Sequence, residues 1–487
     1  LDCPVCDQSG ECLLQDYSYR YGRGVSRFED QKVKQPKKDL GPHVYLYADR
    51  CIMCTRCVRF AREWPETGEI MIGGRGNRAE IDVFPGVALD NELSANVIDI
   101  CPVGALLDKD FLFSQRVWYL KQTPSIDGIT ASGDNTWIEH NEGKIYRLKP
   151  RHNMDINKWW LTDEVRYGWK FVHSEDRLTE PKRRQYGTLI ETDWVRAYHQ
   201  ALDGLRKASV DAGRRLGLVV SPMLPCEEAY ALASLARRID DRAILAIGPV
   251  PFRGEDKHFP PSLTPDDPDF DRKAFRMYAE KAPNARGVRR VLEAVTGETP
   301  PEFDDFRARR LAECGAVVMT CNYHFPSTWA SEGFNDQLVE PYVLLIDTLD
   351  SPLREVADVV LPSATFAEKS GTFENARNMI QSFEQAIPVI QEAKTEGQIA
   401  ADMLALIEGG ELDRPRVDYS QVIVDEGPGQ VPGSTDVIGL PRAAIFNAAD
   451  VRRQMAQAHD ALSVFVTDVT GPATAELPEP DMELVEL

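Results

Sequence analysis

Seven cysteines fall within the first 101 residues of this 487-residue chain, in two arrays. Cys3, Cys6 and Cys12 form the first; Cys51, Cys54 and Cys57, joined by a distant Cys101 that Pro102 follows directly, form the second. Three thiolates at three-residue spacing can wrap one corner of a cubic iron–sulfur cluster while a remote Cys-Pro holds the fourth iron. The second array is therefore read as a 4Fe–4S site. Structural zinc takes paired Cys-x-x-Cys knuckles, so a third cysteine at Cys57 would be surplus. The first array offers three ligands where a cubane needs four; Asp2, His43 or a residue before Leu1 could supply the last. After Cys101, Pro102 and Gly104 are expected to fix a turn whose amides point at sulfur, and Arg50, Arg56 and Arg59 add positive charge. Both effects raise a cluster's potential. Such chemistry needs no catalytic acid, base or nucleophile.

The elements that must carry these residues change character along the chain. Residues 1 to about 115 are cysteine-rich and glycine-punctuated, with a basic run over 32–38 read as a solvated loop. Leu93 to Ile100 leads into Cys101. From 116 to 185 short alternating pieces, such as Thr136 to Glu139 and Lys144 to Leu148, predict a small β-rich domain. Beyond it strands alternate with helices. Trp194, Tyr198, Ala201, Leu202 and Leu205 recur at helical spacing behind an N-cap candidate, Thr192. Leu216–Val220, Ala243–Ile247, Ala316–Thr320, Tyr342–Asp347 and Asp358–Leu361 read as buried strands, with a helix pattern at Ala229, Leu232, Leu235 and Ile239 after the first. These predict a doubly wound α/β domain over 186–408. Pro249 to Pro301, rich in Pro and Asp, reads as a surface excursion. Gly409 to Asp436 reads as a linker, before a helix pattern over Ala444–Leu462 and an acidic tail that complete a segment 409–487. The fold class expected is α/β overall.

Composition narrows the function classes. Apolar content of 43% and charged content of 27% are those of a globular protein. No apolar run approaches the roughly 18 residues of a membrane span. A net charge of −21 opposes phosphate binding, so nucleic acid is not an expected partner. The clustered thiols without a signal peptide point to a reducing compartment. The chain opens on Leu1, with a candidate ligand already at Cys3, which suggests a truncated N-terminus. Gly74 to Ala79 fits GxGxxA, but Pro85 and Gly86 prevent the helix a dinucleotide site requires, so a hairpin turn is expected. His173 beside Glu175 and Asp176, and His140 beside Glu139, read as solvated pairs. Cys226, Cys314 and Cys321 are isolated and read as core thiols.

The stretches LDCPVCDQSGECLLQDYSYRYG, CIMCTRCVRF and ELSANVIDICPVGAL closely resemble the large iron–sulfur subunit of NADH-quinone oxidoreductase (respiratory complex I), the NuoG or 75-kDa subunit family. The resemblance is specific to residue 120 and weaker beyond. It implies a histidine four residues before Cys3, outside this chain, that completes a His-Cys3 4Fe–4S cluster with Cys3, Cys6 and Cys12. It assigns Cys51, Cys54, Cys57 and Cys101 to an all-cysteine 4Fe–4S cluster in a ferredoxin-like iron–sulfur domain over 1–115. It also implies a 2Fe–2S domain in the full-length protein that this chain lacks.

The remainder resembles the molybdopterin oxidoreductase superfamily. NKWWLTDEVRYG (157–168) is similar to a segment that carries a cluster cysteine there, yet Thr162 stands in its place, and no cysteine lies between Thr123 and Trp137. A third cluster is thus not expected, and 116–185 is read as a degenerate, cysteine-free module. ADVVLP (357–362) and GTFENARNMIQ (371–381) are similar to pterin-binding stretches, read as inherited scaffold without molybdopterin. Cys226, after the strand at Leu216, is the one position to weigh as a molybdenum ligand. The implied function is an electron relay to quinone, with a flavin/NADH-binding subunit, a 2Fe–2S subunit, a ferredoxin-like subunit and quinone-site subunits as partners. The implied location is peripheral, on the cytoplasmic face of a bacterial membrane or the matrix face of a mitochondrial one. The competing readings are a molybdenum-dependent formate dehydrogenase-type subunit, an iron hydrogenase and a zinc-bound structural protein. The hydrogenase reading is disfavoured by the 43 residues between Cys57 and Cys101.

Overall fold

Alternation of β-branched and aliphatic residues produces the central sheet of the computed structural model, which describes residues 1, 3–31, 37–325, 333–410, 412 and 444–471. Five strands, Arg215–Val220, Ile244–Ile247, Cys314–Thr320, Tyr342–Asp347 and Val359–Pro362, run parallel and are buried along almost their whole length. Numbered along the chain, they lie in the order 2-1-3-4-5, an arrangement known from open doubly wound sheets. A hairpin, Lys182–Gln185 with Thr188–Glu191, extends the sheet antiparallel beyond the fifth strand. Helices Trp194–Ala208, Cys226–Ile239, Ala285–Thr296 and Glu396–Ile407 pack around it. The first is capped by Asp193, whose side chain accepts from the Arg196 amide, rather than by Thr192. Ala448–Ala458 is the main helix found within the pattern after 444; most of 409–436 and of the acidic tail lies outside the described residues.

This half of the molecule buries an unusual amount of charge. Lys369 Nζ lies 2.8 Å from Glu228 and 2.6 Å from Glu396. Lys394 lies 2.6 Å from Asp402, and Arg177 2.8 Å from Glu368, all of these side chains at most 3% exposed. Each ion is paired and hydrogen-bonded, the condition under which burial is tolerated.

Residues 121–150 form a three-stranded antiparallel sheet, Lys121–Ile126, Asn135–Asn141 and Lys144–Pro150. Its histidine is not solvated as the sequence suggested: His140 is 9% exposed and bonds Thr123 Oγ1 at 2.9 Å. His173 is exposed as expected, though its Nε2 accepts from the Ile145 amide at 3.0 Å. The N-terminal part holds a second small sheet, Lys37–Asp39, Val44–Tyr47 and Leu106–Asp108. Lys37 and Lys38 are therefore strand residues, not loop; Lys38 pairs with Glu80 and Asp82, and Lys32 and Lys34 lie outside the described residues. The GxGxxA segment does turn a hairpin, between Ile70–Gly73 and Glu80–Val83.

Pro249–Pro301 departs from a surface excursion. It contains the helix Ala285–Thr296 and a hairpin, Lys257–Phe259 with Phe275–Met277. Phe259 and Phe275, 4% and 0% exposed, are buried in the core that also contains Cys12, Cys57, Phe60 and Val97. Lys257 pairs with Glu92, and the Ser262 amide donates to Glu66 at 3.1 Å. The excursion is a clasp from the α/β half onto the cysteine-rich half.

Candidate metal centre

Helix Arg56–Glu63 begins inside the second array, so Cys57 sits in its first turn with Val58, Phe60 and Ala61 on the buried face. Ahead of it, Met53 and Thr55 hold φ of 53° and 64°. Left-handed backbone costs a non-glycine residue about 1–2 kcal/mol, and two such positions bend the five-residue stretch between Cys51 and Cys57. Helix Asn96–Ile100 leads directly into Cys101 at its C-cap. Asn96 fixes that helix: its Nδ2 donates to the Leu93 and Leu161 carbonyls, and its Oδ1 accepts from the Leu161 amide.

The electrostatics place the four thiols together. Burial pushes Cys57 up to about 12, and repulsion from Cys101, Cys51 and Cys54 adds to it. Burial likewise raises Cys101 and Cys51, with backbone hydrogen bonds opposing it: Val103, Leu106 and Ala105 at Cys101, and Met53, whose amide donates to Cys51 Sγ at 3.4 Å, at Cys51. Four neighbouring thiolates cannot persist in such a place unless a cationic core takes up their charge, and the amides are arranged to stabilise sulfur bearing it. Among the described residues, no three His, Cys, Asp or Glu side chains are gathered closely enough to hold a single metal ion. The donor set, four neighbouring thiols in a buried space lined by backbone amides, fits a 4Fe–4S cluster. Arg56 and Arg59 lie on the exposed side of the helix, and Arg50 pairs with Asp49 at 3.3 Å.

Cys3–Cys6 forms a single helical turn, and Cys12 occupies the N-cap of helix Leu13–Tyr21. Cys6 and Cys12 are buried and Cys3 is half-buried. Gly104, three residues after Cys101, packs on this array so tightly that a Cβ there would come within 2.7 Å of Cys6 Sγ. The Leu13 amide donates to the Pro102 carbonyl at 3.0 Å. The turn that presents Cys101 to one array thus forms the wall of the other. His43 stacks on Tyr167 with ring centroids 4.1 Å apart; burial lowers its pKa, and the charges around it come from Asp108, Asp90, Lys170 and Asp110 rather than a cysteine. It is not placed as a ligand of the first array; Asp2 lies outside the described residues.

Family models match four segments. Residues 1–27 match the NADH-ubiquinone oxidoreductase-G iron-sulfur binding region, and 41–107 the ferredoxin-like domain of NADH-quinone oxidoreductase subunit 3. Residues 120–170 match the NDSU1/NuoG-like 4Fe-4S domain of NADH-ubiquinone oxidoreductase, and 334–405 match molybdopterin oxidoreductase. The NuoG subunit of the Rickettsia conorii NADH-quinone oxidoreductase is 37% identical over 239 residues, which is 49% of this chain and 35% of the relative; that of Rickettsia felis is 36% identical over the same shares. The matched segments are similar to the NuoG family of NADH-quinone oxidoreductase subunits. The matched part spans about a third of the length of these NuoG relatives. One chain of an NAD+-reducing NiFe hydrogenase in the H2-reduced state is 35% identical over 24% of this chain and 51% of its own, with a TM-score of 0.21.

Within this family frame the 120–170 segment matches a 4Fe–4S domain yet holds no cysteine. Thr162, at the position weighed for one, is instead the N-cap of helix Asp163–Tyr167, its Oγ1 accepting from the Val165 amide. Cys226, Cys314 and Cys321 are all fully buried. Cys226 lies between Asn284, 3.4 Å from its Sγ, and Gly287, where a Cβ would meet that sulfur at 2.6 Å. The pterin-like stretches form the strand Val359–Pro362 and the hairpin Gly371–Glu374 with Ile380–Phe383. The hairpin's polar groups are engaged by the chain itself: Thr372 by Glu227, and Glu374 by both arms of Arg290 at 2.8 and 2.5 Å.

Proposed function

We propose that this chain is an electron-carrying subunit of an NADH:quinone oxidoreductase, holding two 4Fe–4S clusters between a flavin-bearing NADH-oxidising subunit and subunits that reduce quinone. Cys51, Cys54, Cys57 and Cys101 would hold one cluster. Cys3, Cys6 and Cys12 would hold the other, with a histidine outside this sequence as fourth ligand. When bound, the clusters supply one-electron chemistry. The chain's own residues bind them, exclude water through the core around Cys12 and Cys57, and direct the Val103, Ala105 and Leu106 backbone at sulfur. The observation that carries this reading is the nearness of Cys57 to Cys101, Cys51 and Cys54 in a buried, amide-lined space. A molybdenum enzyme is not favoured by the packing of Cys226.

The proposed organisation is an iron–sulfur domain over 1–115, a cysteine-free module over 116–185, an α/β scaffold over 186–408 without molybdopterin, and a segment 409–487. A 2Fe–2S domain belongs to the full-length protein in this reading. Among the described residues no helix is long and apolar enough to cross a membrane, in keeping with a peripheral place in the complex. Low-temperature electron paramagnetic resonance of the reduced full-length protein should show two 4Fe–4S signals. Cys54→Ala should delete one and block electron delivery to quinone while NADH still reduces the flavin of the assembled complex. An iron-free wild type, or stoichiometric molybdenum, would overturn the proposal.

A further inference from the structure

Besides Gly104, the loop between Cys6 and Cys12 is held by Phe113 and by residues of the module that has no cysteines. Asp7, at φ 61°, accepts from the Phe113 amide at 2.6 Å and pairs with Arg116. Gly10, at φ 90°, lies against Val117, whose Cγ2 would be 2.5 Å from a Cβ there. Glu11, the residue before Cys12, receives both arms of the Arg147 guanidinium, Nη1 to Oε2 at 3.1 Å and Nη2 to Oε1, and Lys149 Nζ at 3.1 Å. Arg147 Nε donates to Glu139, which is 2% exposed, at 2.5 Å, and its guanidinium lies 4.0 Å above the Phe111 ring. Burial pushes the Glu11 carboxyl up, but Lys149 and Arg147 outweigh it and keep the group below its usual range.

We propose that Arg147 is a positioning and potential-setting residue for the first cysteine array, acting through Glu11 on Cys12. The proposal rests on the two-cluster reading above. A planar, permanently charged fork is the side chain that can hold one carboxylate with two bonds and a second with its Nε. Lys149 adds charge without that geometry. The role thereby assigned to the degenerate 4Fe–4S module is to complete the enclosure and charge balance of a neighbouring cluster rather than to bind its own. Net charge and hydrogen bonding near the sulfurs are the levers that set such potentials.

The test uses opposite charge changes in the full-length protein. Cys12→Ala and Cys54→Ala first assign the two resonance signals, and redox titration then follows each in the variants. Arg147→Ala removes a cation and should lower the midpoint potential of the signal assigned to Cys12. Glu11→Gln, which keeps the shape of the side chain, should raise it. Arg147→Lys should restore part of the shift but not the wild-type line shape, and the Cys54-assigned signal should move far less in each. Shifts of the same sign in Arg147→Ala and Glu11→Gln, or equal shifts of both signals, would mean a general loosening and overturn the proposal. Should Arg147→Ala fail to fold, the sign and site of the Glu11→Gln shift decide alone. A wild type without two cluster signals would instead refute the relay reading, so the two failures are told apart.

Discussion

Cys57 and His140 show two ways in which burial acts on a single side chain. Cys57 is held far from its ionised form by desolvation and neighbouring sulfur, a cost that metal ligation would offset. His140 and His324 have no such compensation. Burial depresses each to about 4, from an ordinary value of 6.5. A histidine depressed in the folded state contributes stability that is present above pH 6.5 and is lost as pH falls toward 4. At pH 5 the loss is about 2 kcal/mol per histidine. Asp163 slopes the other way: burial pushes it up to about 7, so its contribution is lost as pH rises through that value. The diagnostic quantity is therefore a difference: the melting temperature of His140→Gln should fall less than that of the wild type between pH 7 and pH 5. At this scale the cysteines could be read as candidate ligands because metal-ligand spacing is written in local sequence. The burial of His140 was not legible, since Thr123 reaches it from the neighbouring strand.

Among the elements, the parallel strands could be read from apolar runs because strands buried on both faces carry little else. The N-cap at 193 was missed by one position, where Thr192 and Asp193 are both capping residue types and only the bond to the Arg196 amide decides. The edge strand Lys37–Asp39 was hidden by its lysines, a common composition for sheet edges. The turn after Cys101 has a consequence that can be measured. With Cys6 Sγ 2.7 Å and Gln8 Cβ 3.0 Å from a Cβ at position 104, Gly104→Ala must displace the first array, the second, or both. The variant should fold yet retain less iron per chain than the wild type after desalting; full retention would show that the turn tolerates the methyl group.

Across the whole molecule, the two halves are joined by more than the order of their sequence. Phe275 is fully buried in the cysteine-bearing core although it belongs to an insertion between the second and third strands of the α/β sheet. Phe275→Ala should cost about 3–5 kcal/mol and, in limited proteolysis, expose cleavage sites in residues 1–110 before sites in the central sheet. Cleavage in the reverse order would show that the clasp does not secure this domain. Composition concealed this connection, since a stretch rich in Pro and Asp reads as surface whether or not two aromatic residues within it are anchored elsewhere.

The clasp also sets a timetable for biogenesis. The hydrophobic lining around Cys12 and Cys57 lacks two of its rings until residues 259 and 275 have left the ribosome, long after the thiols themselves have emerged. A nascent chain halted short of that point carries every cysteine of both arrays but an unfinished seal around them, so in the proposed reading durable metallation would await synthesis of residues 259 and 275.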